Sequence, residues 1–140
     1  MGMKLYIAGP MAGIEQMNYP AFAKATAELR ELGFDVLSPH EIDDRFPHRA
    51  HYNDPQEEWL WYMIQCIPMV FEVQMLVLLD GWFNSRGAQI ERQIAECRNI
   101  PIYEYTSTRF RESLLIIQTL NAGKDQFEPR TGGLVQPLDL

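Results

Sequence analysis

Gln74-Met75-Leu76-Val77-Leu78-Leu79 is followed by Asp80-Gly81-Trp82. From Met75 to Leu79 the run is apolar at every position, with none of the alternation of a half-solvated strand. A parallel strand covered on both faces has this character, and the Asp-Gly pair ends it. Working outward, Lys4-Leu5-Tyr6-Ile7-Ala8 is a β-prone run stopped by Gly9-Pro10, and Phe34 to Ser38 reads as a second strand closed by Pro39. A last short strand is expected over Ile100 to Tyr105.

Helical patterns fill the gaps. Asn18 offers a cap, Pro20 sits in the first turn, and Phe22, Ala25, Leu29 and Leu32 recur at helical spacing up to Gly33. Asp54-Pro55-Gln56-Glu57-Glu58 is a capped helix start, and Pro68 is expected to kink or end that helix. Further helices are expected from about Ala88 to Arg98 and from about Arg109 to Asn121. Strands alternating with helices imply right-handed crossovers. The expected fold is therefore α/β, a Rossmann-like (flavodoxin-like) parallel sheet of four to five strands flanked by helices. One domain spans residues 1–123, and 124–140 form a Gly- and Pro-containing C-terminal tail.

Bulk properties narrow the function. A chain of 140 residues can bury roughly 68–70% of its unfolded surface, so a core needs no disulfide staple. The two cysteines, Cys66 and Cys97, show no metal-ligand or redox spacing, and a reduced, cytoplasmic protein is the expectation. No apolar run is long enough to cross a bilayer. Nineteen acidic against twelve basic residues give a net charge of −7. That balance disfavours a long nucleic-acid footprint but leaves room for a small anion held by a helix amino terminus and an arginine.

In open parallel sheets ligands sit outside the carboxyl ends of the strands, where the strand order reverses. This rule selects Gly9, Pro10, Met11 and Gly13 after the first strand, and Asp80 to Glu91 after the third. Glu91, about one turn inside its helix, can point back to the strand ends while Ile90 and Ile94 pack on the sheet. An exposed helix glutamate would occupy the same place in sequence. Ser85, Arg86 and Gly87 lead into a helix amino terminus, which suits a phosphate, although a plain surface loop has the same composition. Tyr6 can reach the site or only fill the core. Asp80 is either a strand-end acid or a turn former. His40, His48 and His51 share one loop from about His40 to Pro55, for which a lid is one option. They show no recognisable metal-ligand spacing, so neither a metal nor a cofactor is expected. The segment Trp59-Leu60-Trp61-Tyr62-Met63-Ile64 is apolar around nearly the whole helix, which calls for cover by a partner subunit.

Tyr6-Ile7-Ala8-Gly9-Pro10-Met11, Asn18-Tyr19-Pro20-Ala21-Phe22, Gly81-Trp82 and Asn84-Ser85-Arg86-Gly87-Ala88 with Glu91 together resemble a known superfamily. It is that of nucleoside 2-deoxyribosyltransferases and 2'-deoxynucleoside 5'-monophosphate N-hydrolases, in particular its small phage and bacterial members of unassigned function. The likeness covers roughly residues 3 to 104. It implies that Glu91, four residues after Gly87, is a nucleophile toward the anomeric carbon and that Tyr6 positions it. Ser85 would contact a 5'-phosphate, with Arg86 strengthening that contact and Trp82 beside the substrate. The chemistry is that of a retaining glycosidase, and departure of the base calls for protonation or hydrogen bonding of its ring. Relatives carry aspartates where Cys66 and Gln74 stand. Asp80, Asp54 or a loop histidine is a possible substitute.

Three readings follow. The first is an N-glycosidase or 2-deoxyribosyltransferase acting on a nucleoside or nucleoside 5'-monophosphate, a homodimer or higher oligomer through the helix from Trp59. The second is a non-catalytic protein that holds or sequesters a nucleotide in the same pocket. The third is an adaptor working through its aromatic helix.

Overall fold

The structure, a computed structural model, describes residues 2–42 and 54–126. The greater part of the loop with His48 and His51, and the tail beyond residue 126, lie outside the described residues. Four strands, β1 (Lys4–Ala8), β2 (Asp35–Leu37), β3 (Met75–Leu78) and β4 (Ile102–Glu104), form one parallel sheet in the order β2-β1-β3-β4. Among the described residues the longer helices that follow the strands or join them are α1 (Tyr19–Glu31), α2 (Pro55–Val70), α3 (Arg86–Cys97) and α4 (Thr108–Gln126). This is the α/β, Rossmann-like parallel sheet expected from the sequence. The last helix runs past residue 123, where a tail was expected to begin.

The period-2 alternation of β1 divides the core in two. Leu5 and Ile7 face one side, with Phe22, Ala25 and Leu29 of α1 and Phe110 and Leu114 of α4. Tyr6 and Ala8 face the other, with Cys66, Met69 and Val70 of α2 and Ala88 and Ala95 of α3. Tyr6 is therefore sent by strand geometry toward the helices that carry Cys66 and Glu91. β1 and β3 are the two central strands, and their buried residues explain the unbroken apolar run over 75–79.

Strand order reverses between β1 and β3, because the chain moves outward to β2 on one side and to β4 on the other. The carboxyl ends of these strands approach closely. A Cβ on Gly9 would lie 2.8 Å from Cβ of Leu79, and one on Gly81, whose φ is 86°, would lie 3.3 Å from Cγ of Pro10. Glycine at both positions lets the two loops converge.

Several local expectations are corrected. Asn18 makes no side-chain cap. It is left-handed (φ 59°), and its Nδ2 donates to the carbonyl of Pro10 at 2.9 Å, tying α1 to the loop after β1. Pro68 stands inside α2, which continues to Val70. The carbonyl that Pro68 leaves without its helical donor is that of Ile64, whose residue is 65% exposed, so water can serve it. Past Val70, Nη1 of Arg98 donates to the carbonyls of Val70 and Val73 at 2.8 and 2.6 Å and satisfies that helix end. α3 begins at Arg86, two residues before the expected start. Its buried seam is Ala88, Glu91 and Ala95, while Ile94 packs only partly and Ile90 is half-buried. Two alanines bring the helix close to the sheet, and the carboxyl of Glu91 is carried inward between them.

Candidate active site

A cavity of about 470 Å³ opens at the strand-order reversal. Its floor is formed by the turn after β1, Gly9 to Ala12, and by the start of α3, Asn84 to Ala88 with Glu91. The opposite wall is α2, which contributes Pro55, Glu58, Trp59, Tyr62, Met63 and Cys66. Met17 and Pro39 complete the lining.

Glu91 is 5% exposed, and its Oε2 accepts a hydrogen bond from the Tyr6 hydroxyl at 2.6 Å. Burial pushes the Glu91 carboxyl up to about 8, against the opposing hydrogen bond from Tyr6. The phenol of Tyr6 is raised well above its ordinary range, by burial first and then by Glu91 and Cys66. The same burial, with Glu91 nearby, pushes the Cys66 thiol up to about 12, so it remains protonated at neutral pH. A short hydrogen bond to one carboxylate oxygen fixes the Glu91 rotamer and leaves Oε1 for a ligand. A buried, orientable carboxyl at the edge of an open cavity can act as a nucleophile or as a proton carrier.

The α3 end of the cavity suits an anion. Oγ of Ser85 caps the helix, accepting from the Ala88 N–H at 3.2 Å, and keeps its own proton to donate. First-turn N–H groups of a helix have no partner within the helix and carry the positive end of its dipole. Arg86 extends across the mouth, its guanidinium 3.8 Å from the centre of the Trp59 ring and its Nη2 bonded to Oε1 of Gln56 at 3.1 Å. Ser85→Ala is expected to cost about 1 kcal/mol of stability through the lost cap, read from a denaturant midpoint. It should also weaken inorganic phosphate binding in a titration. An unchanged phosphate affinity would show that the hydroxyl is only a cap.

The structure brings together Tyr6, Gly9, Pro10, Met11, Ser85, Arg86, Gly87 and Glu91. Four expected residues lie outside the lining: Tyr6, which is fully buried and meets the site through its bond to Glu91, and Asp80, Trp82 and Gly13. Asp80 is exposed and accepts from Oγ1 of Thr106 at 2.8 Å, having turned toward the loop after β4. The Trp82 indole lies over the same side, its Nε1 directed to Oε1 of Glu104 at 3.4 Å with the Arg92 guanidinium 5.2 Å from the ring. Gly13, at φ 80°, has open space around it. Gln74 lies at the amino ends of the strands, where its Oε1 accepts the Lys4 N–H at 2.8 Å. His40 packs against Phe22 and Tyr19, with Nδ1 2.6 Å from Oγ of Ser38. Among the described residues no group of three or more His, Cys, Asp or Glu is placed to hold a metal, and no helix is long and apolar enough to cross a membrane.

The α2 wall was missed by residue-type reasoning. Trp59, Tyr62, Met63 and Cys66 entered the sequence reading as apolar surface or as a mismatch, not as lining. Their spacing of three or four was the available signal. A hollow at the switch point, beside a buried carboxyl and phenol, places the chain among parallel α/β domains with a cavity where the strand order reverses. The chain belongs to the family described as Domain of unknown function (DUF4406), whose model matches residues 3–104. No curated protein matches it significantly. The matched span ends with β4 and contains every residue of the cavity.

Proposed function

We propose that this protein is an N-glycosidase or 2-deoxyribosyltransferase acting on a nucleoside or nucleoside 5'-monophosphate, with Glu91 as nucleophile. The observation that carries the proposal is the Tyr6–Glu91 hydrogen bond at the buried end of a cavity whose other end is a helix amino terminus. Likeness to the deoxyribosyltransferase and monophosphate N-hydrolase superfamily supports the same assignment. In this reading Oε1 of Glu91 bonds to C1′ as the C1′–N bond breaks. The bonding pair leaves with the base, which takes its proton from solvent. Water, or a second base, then displaces Glu91 from C1′. Ser85 and Arg86 hold the 5'-phosphate.

Cys66 supplies the specific observation for a second reading. Where relatives place an acid, this cavity has a thiol held protonated by its surroundings, and a pocket that binds a nucleotide without cleaving it needs no acid. Incubation with a panel of deoxynucleosides and their 5'-monophosphates, with chromatography for free base, separates the two. Release of base supports the glycosidase. Binding without release supports sequestration, and neither binding nor release sinks both. The proposal includes a homodimer packed through α2, where Leu60 and Ile64 are 45% and 65% exposed. A monomer in sedimentation would reject that part, and dispersal of a dimer by Leu60→Glu with Ile64→Glu would support it.

A further inference from the structure

Among the described residues four that are not glycine adopt a positive φ, and three of these are consecutive: Gln16 (55°), Met17 (55°) and Asn18 (59°). Asparagine visits the left-handed region at small cost. Gln16 and Met17 do not share that tolerance, because their Cβ crowds the following carbonyl there and neither side chain is short enough to bond its own backbone. Left-handed residues ordinarily occur singly, so a run of three is a strained turn.

The core does not impose this strain. The run lies in the loop from β1 to α1, and none of its residues is buried. Its bonds are local: the Met17 N–H donates to the Ile14 carbonyl at 2.9 Å, the Tyr19 N–H donates to the Gln16 carbonyl, and the Asn18 side chain holds the carbonyl of Pro10. A right-handed turn could close the same loop without strain, but it would aim the side chain at position 17 elsewhere. As built, Met17 lines the cavity while remaining 40% exposed, which places it on the rim. Met11, Met17 and Pro39 add apolar surface to the lining, whereas Ser85 and Arg86 make the α3 end polar.

We infer that Met17 is a ligand-binding residue, held over the rim of the cavity by the left-handed run so that a bound nucleotide and the thioether side chain cover each other. An unbranched thioether adapts to the shape of the apolar surface laid on it. The turn is ordered before the ligand arrives, so binding does not have to supply that ordering. Strained backbone persists where it presents a side chain to a ligand, and here it accounts for a run that neither packing nor loop closure requires. This inference rests on the nucleotide reading of the cavity and goes beyond it, because no step of the proposed reaction uses the turn.

Two variants separate the backbone from the side chain. Gln16→Gly relieves the left-handed strain at an exposed position, and Met17→Ala keeps a Cβ, hence the strain, while removing the thioether. An exposed residue changed to glycine ordinarily lowers the melting temperature, whereas Gln16→Gly should raise it by about 2–4 °C. Binding of the common 2′-deoxynucleoside 5'-monophosphates is measured by equilibrium dialysis, with inorganic phosphate as the probe of the α3 end. Met17→Ala should weaken nucleotide binding by about 10-fold through lost apolar cover and leave phosphate binding as in the wild type, which also reports an intact fold. Gln16→Gly should weaken nucleotide binding by about 3-fold as the turn loosens, and Met17→Leu should retain most of the wild-type affinity. A melting temperature lowered by Gln16→Gly, nucleotide binding unchanged in Met17→Ala, or equal loss of nucleotide and phosphate in that variant overturns the assignment and leaves the nucleotide reading standing. A wild type that binds no nucleotide rejects that reading and the role of Met17 with it.

Discussion

Glu91→Gln is expected to abolish base release, lowering kcat by roughly 10³-fold or more, while leaving nucleotide binding in place and making the protein more stable at alkaline pH. The amide is the same size and still accepts the Tyr6 hydroxyl, but it cannot carry a bond to C1′ and leave again. The stability gain follows from linkage. The folded-state carboxyl is raised to about 8 from an unfolded value near 4.5, so between those values the folded protein binds a proton that the unfolded chain has released. Stability contributed by protonated Glu91 is therefore lost as pH rises through this window. Above pH 8 the wild type holds a buried charge that costs on the order of a few kcal/mol, and glutamine does not. The difference in melting temperature between variant and wild type should be small near pH 5, grow through pH 8 and then level off at roughly 10–20 °C, at about 4 °C per kcal/mol. Parallel melting curves from pH 5 to 9 would show that Glu91 does not carry a buried, elevated carboxyl. Full activity in the variant would remove it from the reaction.

Such a group is a cost to the fold, of the kind that the proposed glycosidase chemistry would explain. α3 could close against Tyr6 with a leucine at position 91, as its neighbours Ala88 and Ala95 already pack without polar atoms. The tyrosine is placed by a core-facing position of β1, the glutamate by a seam of small residues, and neither placement depends on the mobile ends of long side chains. A carboxyl held this way has the preorganisation that the proposed reaction requires.

What the sequence made legible follows from periodicity. Alternation in β1 and the unbroken run before Asp80 set the sheet, and strand-end rules then pointed to Gly9, Pro10 and Met11 and to Ser85, Arg86, Gly87 and Glu91, all of which line the cavity. The same rule pointed to Asp80 and Trp82, which lie outside that lining. A strand end borders two sides, and sequence does not say whether a residue just past it turns toward β1 or toward β4. Here Thr106 and Glu104 draw both toward β4. The α2 helix shows a different limit. Its all-round apolar pattern says that every face avoids water, not what covers each face. The structure divides it: Met69 and Val70 meet the sheet, Trp59, Met63 and Cys66 line the hollow, and Leu60 and Ile64 remain open. Asn18 was read as a cap from its residue type, whereas its left-handed backbone makes it a tether to Pro10.

Tyr6→Phe is expected to move the pH dependence of the reaction rather than simply weaken it. The phenol lowers the Glu91 pKa by donating to its ionised form, in opposition to burial. A hydrogen bond to a charged group is worth about 1.5–3 kcal/mol, or about 1–2 pKa units at 1.36 kcal/mol each. In the wild type, kcat/KM should rise with pH along a limb near 8, because Glu91, as the proposed nucleophile, has to be ionised before substrate binds. In Tyr6→Phe that limb should lie about 1–2 units higher. The variant should then be roughly 10- to 100-fold slower at pH 7 and recover much of the difference above pH 9. A side chain that served only to fill the core would, when changed, lower activity equally at every pH. An unshifted limb in Tyr6→Phe would therefore reduce the hydroxyl to a packing group and separate it from the work of Glu91.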